Sequence, residues 1–326
     1  MVLSGSGNAK LLLFGEHAAV YGYPSLGLTL PHTIDVRIFD KDEQNIEPLD
    51  NLLTRNDLEA IALAAEKTGQ KAGDLWRSRN WHVNISAAMP LSRGFGSSAA
   101  YCVALAECFG GRKGEDLASN LDTWKTAHHA EHVYHGKPSG IDTGLALGKG
   151  VYQFSGSRED LPSYKKIVPE SFYILGGSIP RTSSTRDLIG MVRLHLDQNP
   201  DSTRKALEQL GQLSIAATRA LEQRSSCAST RLGTFANQAQ DLLERIGVST
   251  PEMNALLNAG REAGALGGKL SGAGGGGAFV FFVKDVRSGM EIFDTVKHFI
   301  STRRDITLSS LFVCECSDGV AAIIDH

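Results

Sequence analysis

Cysteine is scarce in this chain. Five residues in 326, an odd number without zinc-finger spacing, exclude a disulfide scaffold and a zinc-finger module. Cys314 and Cys316 lie two apart in a stretch that reads as strand, so they share a face, and ordinary reduced thiols are the expectation. Long apolar runs are missing as well. Leu11 to Phe14 is stopped at once by Gly15 and Glu16, too short for a signal-peptide core. No stretch approaches the ~18 residues of a membrane-spanning helix. Nor is there an excess of one charge. With 33 Lys and Arg against 36 Asp and Glu, the formal net charge is −3. The basic residues are scattered and the dense spots are short, such as Arg303–Arg304, so neither a nucleic-acid stripe nor a polybasic membrane anchor is expected. Short repeats and low-complexity linkers are absent too. What remains is an ordinary globular composition, long enough for two domains and for a core that folds without staples. A cytosolic protein is the simplest expectation.

Residues 9–14 read as a buried strand, 25–39 as one or two more, and 81–87 as a strand with period-two alternation. Helical patterns cover 57–68, 99–109 and 115–135. Short strands are expected at 151–154 and 172–177. The stretch from about 184 to 265 is helical almost throughout, with breaks at Pro200, Gly247 and Gly260. AFVFFV (278–283) is a strand, 286–300 a helix, and one or two strands close the chain. Strands in both halves with helices between and after them imply an α+β protein in two parts, with residues 1–165 as the first domain and 166–326 as the second.

Three motifs carry chemistry. The first, Pro90-Leu-Ser-Arg93-Gly94-Phe95-Gly96-Ser97-Ser98-Ala99, lies between a strand and a helix. Glycines allow close backbone approach to a ligand, and a helix N-terminus offers free N–H groups and a positive dipole end, which together suit phosphate. A Ser-capped helix start is the plainer reading. Gly94-x-Gly96-x-x-Ala99 also fits a dinucleotide fingerprint, with Glu115 and Asp116 further on. However, Pro90 and three more residues separate the strand from the first glycine, and the acids open a helical segment. The second motif, Glu131-x3-His135-Gly-Lys-Pro-Ser-Gly-Ile-Asp142, places two carboxylates on either side of a tight turn. One could hold Mg²⁺ and the other could orient and deprotonate a hydroxyl; a capped helix-turn-helix is the structural alternative. His128, Glu131, His132 and His135 share a helical face, which leaves a zinc reading open, although no HExxH order occurs. The third motif, Lys269-Leu-Ser271-Gly272-Ala-Gly274-Gly275-Gly276-Gly277, is not a Walker loop. Its glycines cost backbone entropy, so they suggest close approach to a ligand or segment, or else a hinge.

In order, Lys10-Leu-Leu-Leu-Phe-Gly15-Glu16-His17, PLSRGFGSSAA, HGKPSGID and KLSGAGGGG resemble the three-motif pattern of the GHMP kinases. GEHAAVYG and HGKPSGID resemble the mevalonate-phosphorylating branch in particular. The resemblance implies two α+β domains with the active site in the cleft between them. It implies ATP as phosphoryl donor, Mg²⁺ as cofactor and a small-molecule alcohol as acceptor. It implies that Arg93, Gly94, Phe95, Gly96, Ser97, Ser98 and Ala99 wrap the ATP phosphates, that Ser98 and Glu131 hold Mg²⁺, and that Asp142 and Lys10 are catalytic. Glu16, His17 and Thr185 fall on the acceptor side, and the third motif is expected to pack beside the phosphate loop. Asn8-Ala9 stands where Pro-Gly is usual, Phe95 replaces the usual Leu, and the Pro180 segment is two residues longer than the pattern. A sugar, homoserine or phosphomevalonate kinase, and a non-catalytic sensor on the same fold, are the competing functions; retention of Lys10, Glu131 and Asp142 favours an enzyme. The resemblance leaves monomer and homodimer both open.

Overall fold

The computed structural model describes residues 2–40, 54–68, 81–88, 94–156, 161–225, 227–317 and 320–324. Among these, two antiparallel sheets organise the chain. The first joins β1 (Val2–Phe14), β2 (Ser25–Asp40), β3 (Trp81–Ala87), β4 (Val151–Ser155) and β5 (Ser163–Ile167), in the order β1-β2-β4-β5 with β3 also paired to β2. The second has the order β10 (Val320–Ile324), β9 (Ser310–Ser317), β6 (Phe172–Ile179), β8 (Gly277–Val283), β7 (Gly267–Leu270). Every described pairing is antiparallel. The dinucleotide reading fails here, because that site requires parallel βαβ units.

Helices α1 (Arg55–Thr68), α2 (Ser97–Gly110), α3 (Leu121–His135) and α4 (Ile141–Leu147) go with the first sheet. The α2 helix is apolar almost all round, with a buried run from Ala99 to Ala106, because it lies between β1 and the outer helices α1 and α3. It can lie so close because β1 presents glycine: a Cβ at Gly7 would sit 2.0 Å from the Ala100 carbonyl oxygen. In the second half, α5 (Thr185–Gln198), α6 (Pro200–Glu222), α7 (Ala228–Arg245), α8 (Pro251–Glu262) and α9 (Val286–Ser301) are amphipathic and bury one stripe each. The α6 helix also reaches β1 and β2, and Phe14 stacks on Phe282 at 5.9 Å, so the two sheets share an apolar seam.

Several elements differ from the sequence expectation. The β1 strand begins at Val2, since VLSGSGN carries too little apolar periodicity to announce a strand. Residues 115–120 form a turn, held by Asn120, whose side chain bonds Lys113 N and the carbonyls of Gly114 and Asp116. SYKKI (163–167) forms β5 despite its polarity, by pairing with β4. Gly260 lies inside α8 and does not break it; its missing side chain makes room for the Phe281 ring. The helical run breaks additionally after Glu222.

Candidate active site

The site assembles around Lys10. The register between β1 and β2 slips between Asn8 and Lys10, a bulge that frees the Lys10 N–H to donate to the Phe95 carbonyl at 2.9 Å. This bond lays the glycine loop along β1. Gly96 then adopts φ 77, in the left-handed region, and a Cβ there would sit 2.8 Å from both Cγ and Cε of Lys10. The lysine stem therefore crosses the glycine face directly before α2 begins, and only glycine meets both demands. On its other side the loop touches the second sheet: a Cβ at Gly94 would be 2.8 Å from the Ala278 nitrogen, and the Phe95 ring packs on Phe312 at 5.8 Å. The third motif thus sits against the phosphate-loop candidate.

Lys10 points its ammonium at Asp142, with Nζ to Oδ1 at 3.1 Å and side-chain exposures of 5% and 36%. Asp142 lies in the first turn of α4, set there by the Gly140 turn; the Trp124 indole N–H donates to the Gly140 carbonyl at 3.0 Å and pins that turn to α3. Glu131, in the last turn of α3, is 1% exposed. Burial pushes its carboxyl well above the usual range, Asp142 pushes it further, and Lys10 pulls it back. Its Oε2 is buried without a protein hydrogen-bond partner. Two acids, one cation and an orphaned carboxylate oxygen thus converge beside a helix N-terminus. Ser98, in the first turn of that helix, shares a hydrogen bond with His135 Nε2 at 3.0 Å. Burial lowers the His135 pKa, Asp142 opposes that, and Lys10 and Arg181 reinforce it.

The orphaned acid has a stability consequence. In metal-free protein the folded state holds the Glu131 proton more tightly than the unfolded chain, whose value is near 4.5. The associated stability is complete below that value and is lost as pH rises towards the raised folded value. Glu131→Gln removes this dependence. In melts without divalent ions, the variant should gain on the wild type as pH rises from acid to neutral; parallel profiles would refute the assignment.

From the second half, Arg181 faces the same space. It is half-buried, its Nε lacks a partner, and it runs along the third motif so closely that a Cβ on Gly277 would lie 2.7 Å from Nε. Its Nη1 donates to Thr185 Oγ1 at 3.4 Å, a long bond, and its charge is felt by Asp142. Thr185 opens α5 behind the capping residue Ser184. Glu16 and His17 follow β1 in a tight turn and are both buried. Glu16 is ion-paired with Lys269, and His17 Nε2 lies 2.9 Å from the Ala273 carbonyl.

Of the residues singled out in sequence, Lys10, Gly94, Phe95, Gly96, Ser97, Ser98, Ala99, Glu131 and Asp142 thus fall around one locus, with Thr185 joined to it through Arg181. Arg93 lies outside the described residues. The zinc reading finds no support: no cluster of three or more His, Cys, Asp or Glu able to hold a metal occurs among the described residues. His135, considered only for zinc, instead bonds Ser98. Arg181 and Lys269 received no role, although each is a lone cation flanking a glycine-rich or proline-marked segment. Among the described residues no helix is long and apolar enough to cross a membrane.

Comparison with known proteins gives the family. The family described as GHMP kinases N terminal domain matches residues 51–149, and that described as GHMP kinases C terminal matches residues 224–299. Mevalonate kinase of Thermococcus sibiricus is 31% identical over 309 residues, covering 87% of this chain and 90% of the relative. That of Pyrococcus horikoshii is 32% identical over 301 residues, covering 83% and 86%. In fold, the chain superposes on L. major mevalonate kinase in complex with R-mevalonate with a TM-score of 0.76 at 21% identity, covering 97% of this chain and 96% of that one.

Proposed function

This chain belongs to the GHMP kinase family, and from that premise we propose that it transfers the γ-phosphoryl group of ATP to the 5-hydroxyl of mevalonate, giving 5-phosphomevalonate and ADP. The observation that carries the proposal is the Lys10–Asp142 pair at 3.1 Å, held against Gly96 at the mouth of the glycine loop. Phosphoryl transfer needs positioning and charge stabilisation more than covalent help from the protein. The loop 94–96 and the first turn of α2 offer N–H groups and a positive dipole end to the ATP phosphates. Asp142, the more exposed member of the pair, orients the acceptor hydroxyl and takes its proton as the new O–P bond forms and the bond to ADP breaks. Lys10 lies beside that oxygen and balances the negative charge that develops on the transferred group.

The residues present fit Mg²⁺. Glu131 brings a buried carboxylate oxygen with no protein partner, and Ser98 brings a hydroxyl from the phosphate-binding turn. Mg²⁺ typically takes only one or two carboxylates and fills its remaining positions with phosphate oxygens and water. Bound between these residues and ATP, it would supply charge neutralisation on the phosphate oxygens. His135 holds the Ser98 hydroxyl meanwhile.

On the acceptor side, mevalonate carries a carboxylate, and Arg181 places a half-buried cation with an unused N–H next to Thr185. A neutral sugar would leave that cation uncompensated, which favours an anionic acceptor. We place the division between the two family domains in residues 168–171, which keeps β5 whole with the first sheet where a cut at 165 would split it. We read the enzyme as cytosolic. The test is ADP release coupled to a colour reaction, with mevalonate, galactose and homoserine as acceptors. Mevalonate should give the highest kcat/KM; a preference for galactose or homoserine would overturn the acceptor, and ADP release with none of the three would overturn the kinase reading.

A further inference from the structure

Among the ion pairs of the described residues, one is withdrawn from water on both sides. Lys269, on β7 of the second sheet, and Glu16, just after β1 of the first, are both 0% exposed and ion-paired. A second bond from Lys269 Nζ goes to the Leu270 carbonyl at 2.6 Å, and the ammonium sits 5.8 Å from the centre of the Phe14 ring, which is itself stacked on Phe282. Burial lowers the Lys269 pKa, and Glu16 opposes the change. Two ions withdrawn from water into an aromatic seam rarely contribute net stability, since apolar replacements of similar volume often serve as well. The pair therefore calls for a reason other than holding the core.

That reason lies in what Glu16 precedes. His17 has φ 57, a left-handed backbone that a non-glycine residue adopts only when its surroundings impose it. The surroundings here come from the other sheet. Ser271 accepts from the Leu12 N–H at 3.1 Å and donates to the Leu12 carbonyl at 2.8 Å, and Ala273 O meets His17 Nε2 at 2.9 Å. Lys269, Ser271 and Ala273 are alternate residues of one segment, and they grip residues 16, 12 and 17 in turn. The segment that runs on into the glycines beside Arg181 is thereby also the clamp on the Glu16–His17 turn.

We propose that Lys269 is a positioning residue for acceptor binding: by fixing Glu16 across the interface it holds the strained His17 turn in the conformation that meets the acceptor. This rests on the kinase reading for what the turn contacts, but the clamp is also visible without any acceptor. On that reading ATP lies against the glycine loop, which meets Lys10 and Ala278 rather than Lys269 or Glu16.

The experiment uses the full-length protein as Lys269→Met and as Lys269→Met with Glu16→Gln. Three quantities are read: the melting temperature, the KM values for acceptor and ATP, and the imidazole NMR signals of His17 in ligand-free protein. The single variant strands a buried carboxylate and should melt lower. The double variant removes that charge and should recover most of the melting temperature. In both, the acceptor KM should rise about 10-fold or more, as expected for a misplaced binding group, with ATP KM within about twofold and the His17 signals shifted. A double variant with recovered melting temperature, wild-type acceptor KM and unshifted His17 signals would make Lys269 purely structural and overturn the proposal. Failure of both variants to fold would overturn it too, since the pair would then be a requirement of the core. Should wild-type protein not phosphorylate mevalonate, the acceptor reading falls, and the His17 signals alone decide whether Lys269 sets the turn.

Discussion

Asp142→Asn is expected to lower turnover by ~10²-fold or more, the scale of lost acid–base help, while ATP binds as before. Asparagine has nearly the shape of aspartate and can still accept from Lys10, so the 3.1 Å contact survives in form. What disappears is the negative charge and the capacity to accept a proton from the acceptor hydroxyl. Asp142 lies in the first turn of α4 with over a third of its side chain exposed, so the change is not a core lesion and the melting temperature should move little. On the proposed site ATP rests on the glycine loop and α2, so its affinity, measured by calorimetry, should stay within about twofold. Unaltered turnover would take Asp142 out of the chemistry and leave it as a surface partner of Lys10.

Lys10→Met should cost about 10²- to 10³-fold in kcat, the range for removing one preorganised charge-stabilising group. Methionine keeps the apolar stem that crosses Gly96, so the β1–loop packing and the backbone bond from residue 10 to Phe95 are retained. The charge is lost at a side chain only 5% exposed, where water replaces it poorly. On the proposed mechanism Lys10 and Asp142 act on the same oxygen, so Lys10→Met combined with Asp142→Asn should be scarcely slower than the worse single variant. Fully multiplicative losses would mean that the two residues act at separate steps. This pair of predictions differs in kind from the Lys269 prediction, which acts on acceptor KM rather than on kcat.

The candidate site was largely legible in the sequence, because its parts are short motifs with fixed local geometry. Glycines flanking Phe95 must turn where they turn, Gly136 must end one helix, Gly140 must start another, and Asp142 must follow. What the sequence could not convey was pairing at long range. Glu16 reads as an acceptor-side acid next to His17, but its partner is 253 residues away on β7. Arg181 reads as one more surface arginine after Pro180 until the glycine run is seen folded along it. His135 reads as a member of a histidine stripe, and only folding shows that it alone reaches Ser98. The strands missed, the first half of β1 and all of β5 and β7, are those whose residues are too polar or too small to mark a buried face, and which gain their structure from a neighbouring strand. The α+β class and the run of C-terminal helices were readable because amphipathic periodicity is a local property; the turns at 115–120 and after Glu222 were not, because side-chain capping and chain reversal override it there.

The central claim is that Lys10, Asp142 and Glu131 surround a phosphoryl group on its way from ATP to mevalonate. It is tested most directly by following the ³¹P NMR spectrum of wild-type protein with ATP, Mg²⁺ and mevalonate. A phosphomonoester resonance should grow in step with the β-phosphate signal of ADP, and should fail to grow when either Mg²⁺ or mevalonate is left out. ADP accompanied only by inorganic phosphate, or a monoester that forms without mevalonate, would contradict it.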